Sequence, residues 1–262
     1  MSCQEHHDNM WHVTDTDNFY QSAFGQHISG LLSREIELCD REWMAPAASL
    51  VRLAIGYPFC IKGLGPVSAT LMPAEIGALS WPEEDGASVA CIDEGQWPIE
   101  SEFADRLLIC HALEHSGDAL GLLTEAHRVL AGNGRVIIIV PNRRGFWARS
   151  ERNPFGHGTP FSRRQLCRLL EQAGFQPVQR RYALFVPPFA DSLPRRLQMR
   201  IDSLGRILWG VLGGVLMVEA VKVVYAPSTM QVKSLAKPAR PFIVARPAGF
   251  SSLDDTIDDG QK

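Results

Sequence analysis

The sequence is short of several features that would point to a specialised environment. Its six cysteines, Cys3, Cys39, Cys60, Cys91, Cys110 and Cys167, form no C-x-x-C pair, so the paired-cysteine signatures of dithiol redox centres and zinc ribbons are excluded. Cys60, Cys91 and Cys110 lie in or beside apolar runs and read as small core residues. No secretory leader is recognisable, because MSCQEHHDNM is polar; a reducing cytoplasm is the expected location. Charge of one sign is also lacking: the net charge is −3, which gives no whole-protein nucleic-acid surface and no expectation of a nucleic-acid partner. A spanning helix needs roughly 20 predominantly apolar residues, and the best candidate, residues 207–225, ILWGVLGGVLMVEAVKVVY, is apolar for only about twelve before Glu219 and Lys222. Its Gly-Gly break and β-branched tail favour a buried strand, so no membrane span is expected.

What remains is a chain of 262 residues with 45% hydrophobic content, enough for one α/β domain with a substantial core, or a domain plus extensions. Short apolar runs stopped by Gly, Pro or acids read as strands at residues 50–55, 67–72, 89–92 and 106–110. RVIIIV at residues 135–140 follows the turn Gly132-Asn133-Gly134 and is the clearest strand. Helical periodicity starts near Asp17, with Phe24, Ile28, Leu31 or Leu32, and Ile36, and recurs over residues 118–130 and 162–173. Ser162 is suited to an N-cap and Gly174 to a helix end. Strands apolar throughout are buried on both faces, which implies a parallel sheet covered by helices. The expected fold is therefore α/β, doubly wound and mostly parallel. The expected organisation is an arm and helix over residues 1–48, with residues 1–14 a loose arm, and a main domain over residues 49–226. Strands at 179–186 and 215–225 in that domain bracket a basic helical insert, 193–208. A partly disordered extension, 227–262, completes the chain, in which FIVA could dock as a strand.

HALEH, residues 111–115, matches H-x-x-E-H, the pattern of inverted zinc proteases. Those proteases carry it inside one long helix. Here it follows a strand directly, and the next helix begins only near Asp118, so no metal is expected. In this setting Glu114 and His115 would cap the strand end.

The order of signals from residue 50 to residue 174 resembles a class I S-adenosylmethionine-dependent methyltransferase of the small-molecule, type 11 kind. The segments that carry the likeness are CIDEGQWPIESEFADRLLICHALEH, LLTEAHRVLAGNGRVIIIVPN and HGTPFSRRQLCRLLEQAGF. VEAVKVVYAP further resembles a bacterial subgroup. The resemblance implies a seven-stranded Rossmann-like sheet with the methyl donor across the carboxyl ends of the first, second and fourth strands. It implies donor contacts at Gly56 and Tyr57 in the first turn, at the adenine-binding acid Asp93 with Glu94 beside it, and at Trp97 as a stacking or packing ring.

Three expected donor contacts depart from the family pattern. Ala54 stands where an acid should be, Pro58 and Cys60 replace glycines, and the second strand ends in Met72-Pro73 rather than an acid, with Glu75 two residues beyond. Each bidentate, charge-assisted contact is worth on the order of 1.5–3 kcal/mol, so the fold signal is stronger than the cofactor signal. His115, and after it His111, are the candidate bases for methyl transfer, with a structural hydrogen-bonding role as the competing reading. Asn142, Arg143, Trp147 and His157 are the candidate substrate or partner residues. The sequence thus leaves two functions open: methyl transfer to a small-molecule acceptor, or a catalytically inactive binding or regulatory subunit that joins a protein partner or forms a homodimer. A zinc hydrolase is a distant third.

Overall fold

The computed structural model describes residues 12–43, 50–74, 77–79 and 89–223. The strands are β1 (Arg52–Gly56), β2 (Ala69–Pro73), β3 (Val89–Ile92), β4 (Ala104–Cys110), β5 (Leu130–Pro141), β6 (Phe175–Ala183) and β7 (Val215–Lys222). The helices are α1 (Val13–Gln21), α2 (Ala23–Cys39), α3 (Ala119–Val129), α4 (Arg163–Gln172) and α5 (Arg195–Leu208). The strands form one seven-stranded sheet in the order β3-β2-β1-β4-β5-β7-β6. The first five run parallel, while β7 is antiparallel to both β5 and β6. The doubly wound expectation holds, with one antiparallel hairpin at the edge.

Two cores explain why the central strands are apolar on both faces. Side chains alternate across a strand, so Leu107, Ile109, Val136, Ile138, Leu216 and Val218 point to one face, where Leu122, Leu123 and Ala126 of α3 and Leu166 and Leu170 of α4 cover them. Leu108, Cys110, Ile137, Ile139, Val215 and Met217 point to the other, under Ile28, Leu32 and Ile36 of α2 and the rings of Trp43 and Trp147. Full burial of each such aliphatic side chain contributes about 1.5–3 kcal/mol.

The helix ends follow local chemistry. Asp118 caps α3 by accepting from the Gly121 N–H at 2.9 Å. Ser162 caps α4 in a reciprocal box with Gln165: the Gln165 N–H donates to Ser162 Oγ at 3.3 Å and the Ser162 N–H to Gln165 Oε1 at 3.1 Å. Gly174, at φ 87°, ends that helix in the left-handed region. Ser162→Ala is expected to cost about 1 kcal/mol of unfolding free energy, read from the urea midpoint.

Several boundaries differ from the sequence reading. Helix begins at Val13, inside the expected arm, and breaks at Ser22, which caps α2 by accepting from the Gly25 N–H at 2.9 Å. The Gly132–Gly134 turn is absorbed into β5, where Asn133 takes φ 65° and the register with β4 shifts between Ala104 and Arg106. The strand expected at 179–186 starts earlier, at Phe175, because the chain leaves Gly174 directly onto β7. Residues 207–225 are split between the end of α5 and β7, and no helix among the described residues is long and apolar enough to cross a membrane. Glu75, the FIVA segment and the whole of 227–262 lie outside the described residues.

Candidate functional site

The carboxyl ends of β1, β2, β3 and β4 gather Gly56, Met72, Asp93 and the HALEH corner along one rim of the parallel layer, as the register of these strands requires. The rim is where open α/β sheets bind ligands.

At β1, Gly56 adopts φ +90°, and a Cβ there would stand 2.1 Å from the Cys110 carbonyl oxygen. Only glycine permits so close a passage of one backbone against another. The turn that follows spends its donors internally: the Tyr57 N–H donates to Cys110 O at 2.9 Å, Cys60 N–H to Tyr57 O at 3.3 Å and Ile61 N–H to Pro58 O at 2.9 Å. Pro58 has no N–H to offer. The Tyr57 ring is buried, its hydroxyl donates to Gly77 O at 2.8 Å, and it packs with Met72 and with Val13 of α1. Met72 is fully buried, and its sulfur accepts the Leu79 N–H at 3.3 Å.

Asp93 is exposed just beyond β3 and bridges to Gln96. Glu94 is already engaged, accepting from Ser116 Oγ at 2.7 Å and from the N–H groups of Gly117 and Asp118 at 3.1 and 3.4 Å. Trp97 is buried, its indole N–H donating to Glu94 O at 3.2 Å and its backbone N–H to Glu125 at 3.1 Å. The hydrogen bond from Arg128 holds the Glu125 carboxyl below its ordinary range. Glu94, Trp97, Glu125 and Arg128 thus form a brace between the β3 tip and α3.

Here the donor set can be compared with what S-adenosylmethionine requires. The exposed carboxylate of Asp93 suits the adenine edge. At the positions where the resemblance implies the ribose and methionine contacts, the described residues offer the buried Met72 thioether, Ala54 and a first turn whose amides point into the fold, a set that does not fit those ends of the cofactor.

The HALEH corner is not helical. His111 takes φ 53° immediately after β4. Its Nε2 is 2.8 Å from the Tyr20 hydroxyl and its Nδ1 3.2 Å from Glu114 Oε1, all three groups buried. Burial, followed by the neighbouring Cys60, Cys110 and Glu114, pushes the Tyr20 hydroxyl well above its usual range. Cys60 Sγ and Cys110 Sγ lie 2.9 Å apart, and these two sulfurs and a His111 nitrogen fall within 4.8 Å of one another. Both imidazole nitrogens, however, are already hydrogen-bonded to Tyr20 and Glu114. Tyr20, on α1, is a member of this cluster that sequence reasoning missed; its helical position carries no local signal that it crosses to the end of β4.

His115 is separate from that chain and only partly buried. Its Nδ1 lies 3.1 Å from where a Cβ on Gly158 would stand, and Thr159 N–H donates to Glu114 O at 2.6 Å, so the 157–159 loop closes on the corner. His157 itself contacts Glu151 O through Nε2 at 2.9 Å. Asn142 is buried and donates to Val211 O and Gly213 O at 3.1 and 2.7 Å. Trp147 is buried too, with its indole N–H donating to Val186 O at 2.7 Å and its ring stacked on Phe24. Arg143 stays exposed, reaching Pro160 O at 3.3 Å. The rim therefore brings together Gly56, Tyr57 and His111 and places Asp93, Glu94 and Trp97 at its β3 end, while Asn142 and Arg143 follow the carboxyl end of β5 and Trp147 packs on Phe155, whose ring lies 4.4 Å from that of His111.

Burial lowers His115, His27 and His127 below the ordinary histidine value of 6.5, in each case as the largest cause. The folded chain then resists protonation while the unfolded chain accepts it. The corresponding stability is full above pH 6.5 and is lost as pH falls toward the lowered folded-state values. The thermal midpoint is expected to fall between about pH 7 and about pH 5, and His115→Gln to flatten part of that slope in a scanning-fluorimetry series.

Residues 74–180 match a family model described as a methyltransferase domain. A Thermotoga maritima S-adenosylmethionine-dependent methyltransferase superposes with a TM-score of 0.54 at 17% identity, covering 80% of this chain and 96% of that one. A chain from the complex between a Haloferax volcanii methyltransferase activator and a methyltransferase does so with 0.51 at 14% identity, covering 80% and 98%. An Aquifex aeolicus methyltransferase gives 0.50 at 13% identity, covering 80% and 97%. No curated protein matches the chain. The match over residues 74–180 and this sheet order show that the chain shares the fold of these S-adenosylmethionine-dependent methyltransferases.

Proposed function

We propose that this chain uses the methyltransferase fold as a binding or regulatory scaffold and holds S-adenosylmethionine too weakly for efficient turnover. The observation that carries this reading is the end of β2, where Met72 is fully buried against Tyr57 and Val13 in place of a ribose-binding carboxylate. With Ala54 at the other acid position, two charge-assisted contacts are absent, worth together about 3–6 kcal/mol, or more than a hundredfold in affinity. The buried Tyr20–His111–Glu114 chain fits the same reading, since it secures α1 to the β4 corner and leaves no room for a proton acceptor at His111.

A second reading is favoured by Asp93 and His115. Asp93 remains exposed at the adenine edge, and His115, partly exposed and kept neutral by burial, could accept a proton from a small-molecule acceptor approaching under the 157–159 loop. On that reading the chain is an active small-molecule methyltransferase. Labelled methyl transfer from S-adenosylmethionine into a metabolite extract, run with His115→Gln and Asp93→Ala, separates the two. No label above a heat-treated control supports the scaffold reading, whereas label that falls at least tenfold in both variants supports catalysis.

A further inference from the structure

Helix α5 is attached to the domain by its polar side. Gln198 donates to Ala190 O and Leu193 O at 2.8 and 2.9 Å, Asp202 accepts the Phe185 N–H at 2.9 Å, and a Cβ on Gly205 would meet Phe185 Cβ at 2.6 Å. The apolar residues face outward instead. Leu204, Leu208, Trp209 and Val211 are more than half exposed, Ile207 is 79% exposed, and Phe189 across the loop is 73% exposed. An amphipathic helix ordinarily turns its apolar stripe inward. Nothing among the described residues covers this one.

The stripe runs into an apolar cavity of about 280 Å³ lined by Phe146, Phe185, Phe189, Ile201, Trp209 and Leu212. Beyond Val211 the surface changes character, to a basin of about 420 Å³ lined by Arg144, Arg163 and Arg164. Along residues 193–211 every exposed charged side chain is an arginine, Arg195, Arg196 and Arg200; Arg206 is partly covered and paired with Glu35, and Asp202 is buried beside Arg206. Asp191, on the preceding turn, is the nearest exposed acid in sequence. The chain as a whole carries −3, so this face is basic against an acidic background.

A second copy across a two-fold axis would set these arginines against themselves. A large apolar projection with an aromatic residue at its edge, ringed by arginine, is the composition of an element that lies in a lipid interface. We propose that this face docks on an anionic phospholipid bilayer, with Phe189 and residues 204–211 entering the interface and Arg144, Arg163, Arg164, Arg196 and Arg200 resting on lipid phosphates. Docking of this kind does not depend on whether the fold transfers methyl groups.

Co-sedimentation of the full chain with vesicles tests the proposal. Binding is expected to phosphatidylglycerol mixed with phosphatidylcholine, at least tenfold weaker binding to phosphatidylcholine alone, and release by salt. Ile207→Glu with Leu208→Glu should lower partitioning at least tenfold. Arg196→Glu with Arg200→Glu should do the same and remove most of the salt dependence, at about fivefold per charge lost. All four side chains are exposed, and unchanged thermal midpoints confirm intact folding. Wild-type protein that stays in the supernatant with anionic vesicles at low salt overturns the proposal. So does binding that both double variants retain, or a wild-type dimer, seen by light scattering, that the Ile207/Leu208 variant dissolves.

Discussion

Gly56→Ala is expected to abolish folding or to cost about 3–5 kcal/mol, the left-handed backbone and the overpacking adding together. The residue sits at φ +90°, and its added methyl would lie 2.1 Å from Cys110 O and 3.0 Å from Ala112 Cβ. Neither neighbour can give way cheaply, because both belong to a fully buried stretch at the end of β4. Relief requires β1 to draw away from β4, which breaks the Tyr57 N–H to Cys110 O bond of 2.9 Å. Gly63→Ala is the control. It has φ +70° and nothing within 4 Å of its Cβ position, so it carries the backbone cost of about 1–2 kcal/mol without the clash. Soluble yield and urea unfolding of the two variants separate strain from collision. Equal stability of both would contradict the close approach of β1 and β4.

Glu35→Ala is expected to remove about 3 kcal/mol. The carboxylate is fully buried on α2 and bridges Arg181 of β6 at 2.7 Å and Arg206 of α5 at 2.5 Å. Its loss leaves Arg181 without this carboxylate and Arg206 with only Asp202, 3.6 Å away. Both arginines keep partial solvent access, about a quarter and a third of the side chain, so they rehydrate and the cost stays at the low end of the range for a broken buried pair. Glu35→Gln keeps the volume and one hydrogen bond and is expected to cost about half as much. A urea midpoint unchanged in Glu35→Ala would show that α5 is not held through this carboxylate. The vesicle experiment would then need repeating in that variant, since the helix that presents the apolar face is the one Arg206 tethers.

The parts of the fold that could be read from the sequence are those governed by local chemistry. RVIIIV declared a two-sided strand because each residue from Val136 to Val140 has a core on one face or the other. Ser162 and Gly174 declared the ends of α4 because capping and left-handed backbone are properties of single residues. The rim was half legible. Gly56, Asp93 and the HALEH corner do lie on one edge, as the strand order required. The partners that define the corner's chemistry were not visible, because Tyr20 and Val13 arrive from a helix far away in sequence, and their contacts depend on how α1 lies over the first turn. The break at Ser22 was missed for a different reason: the periodic residues Phe24 to Ile36 all lie beyond it in α2, and only the cap geometry at Ser22 shows where α1 stops. Helix α5 was legible as a basic helical insert, but not its outward apolar stripe, since Gln198 and Asp202 read as surface residues until their backbone partners are known.

The most direct measurement is calorimetric titration of the full chain with S-adenosylhomocysteine and with S-adenosylmethionine. With Met72 and Ala54 in place of the two carboxylates, no saturable heat is expected at micromolar ligand, and any binding should be weaker by a hundredfold or more than an intact pair of charge-assisted contacts would give. A micromolar isotherm lost in Asp93→Ala would contradict the scaffold reading and return the chain to the working methyltransferases.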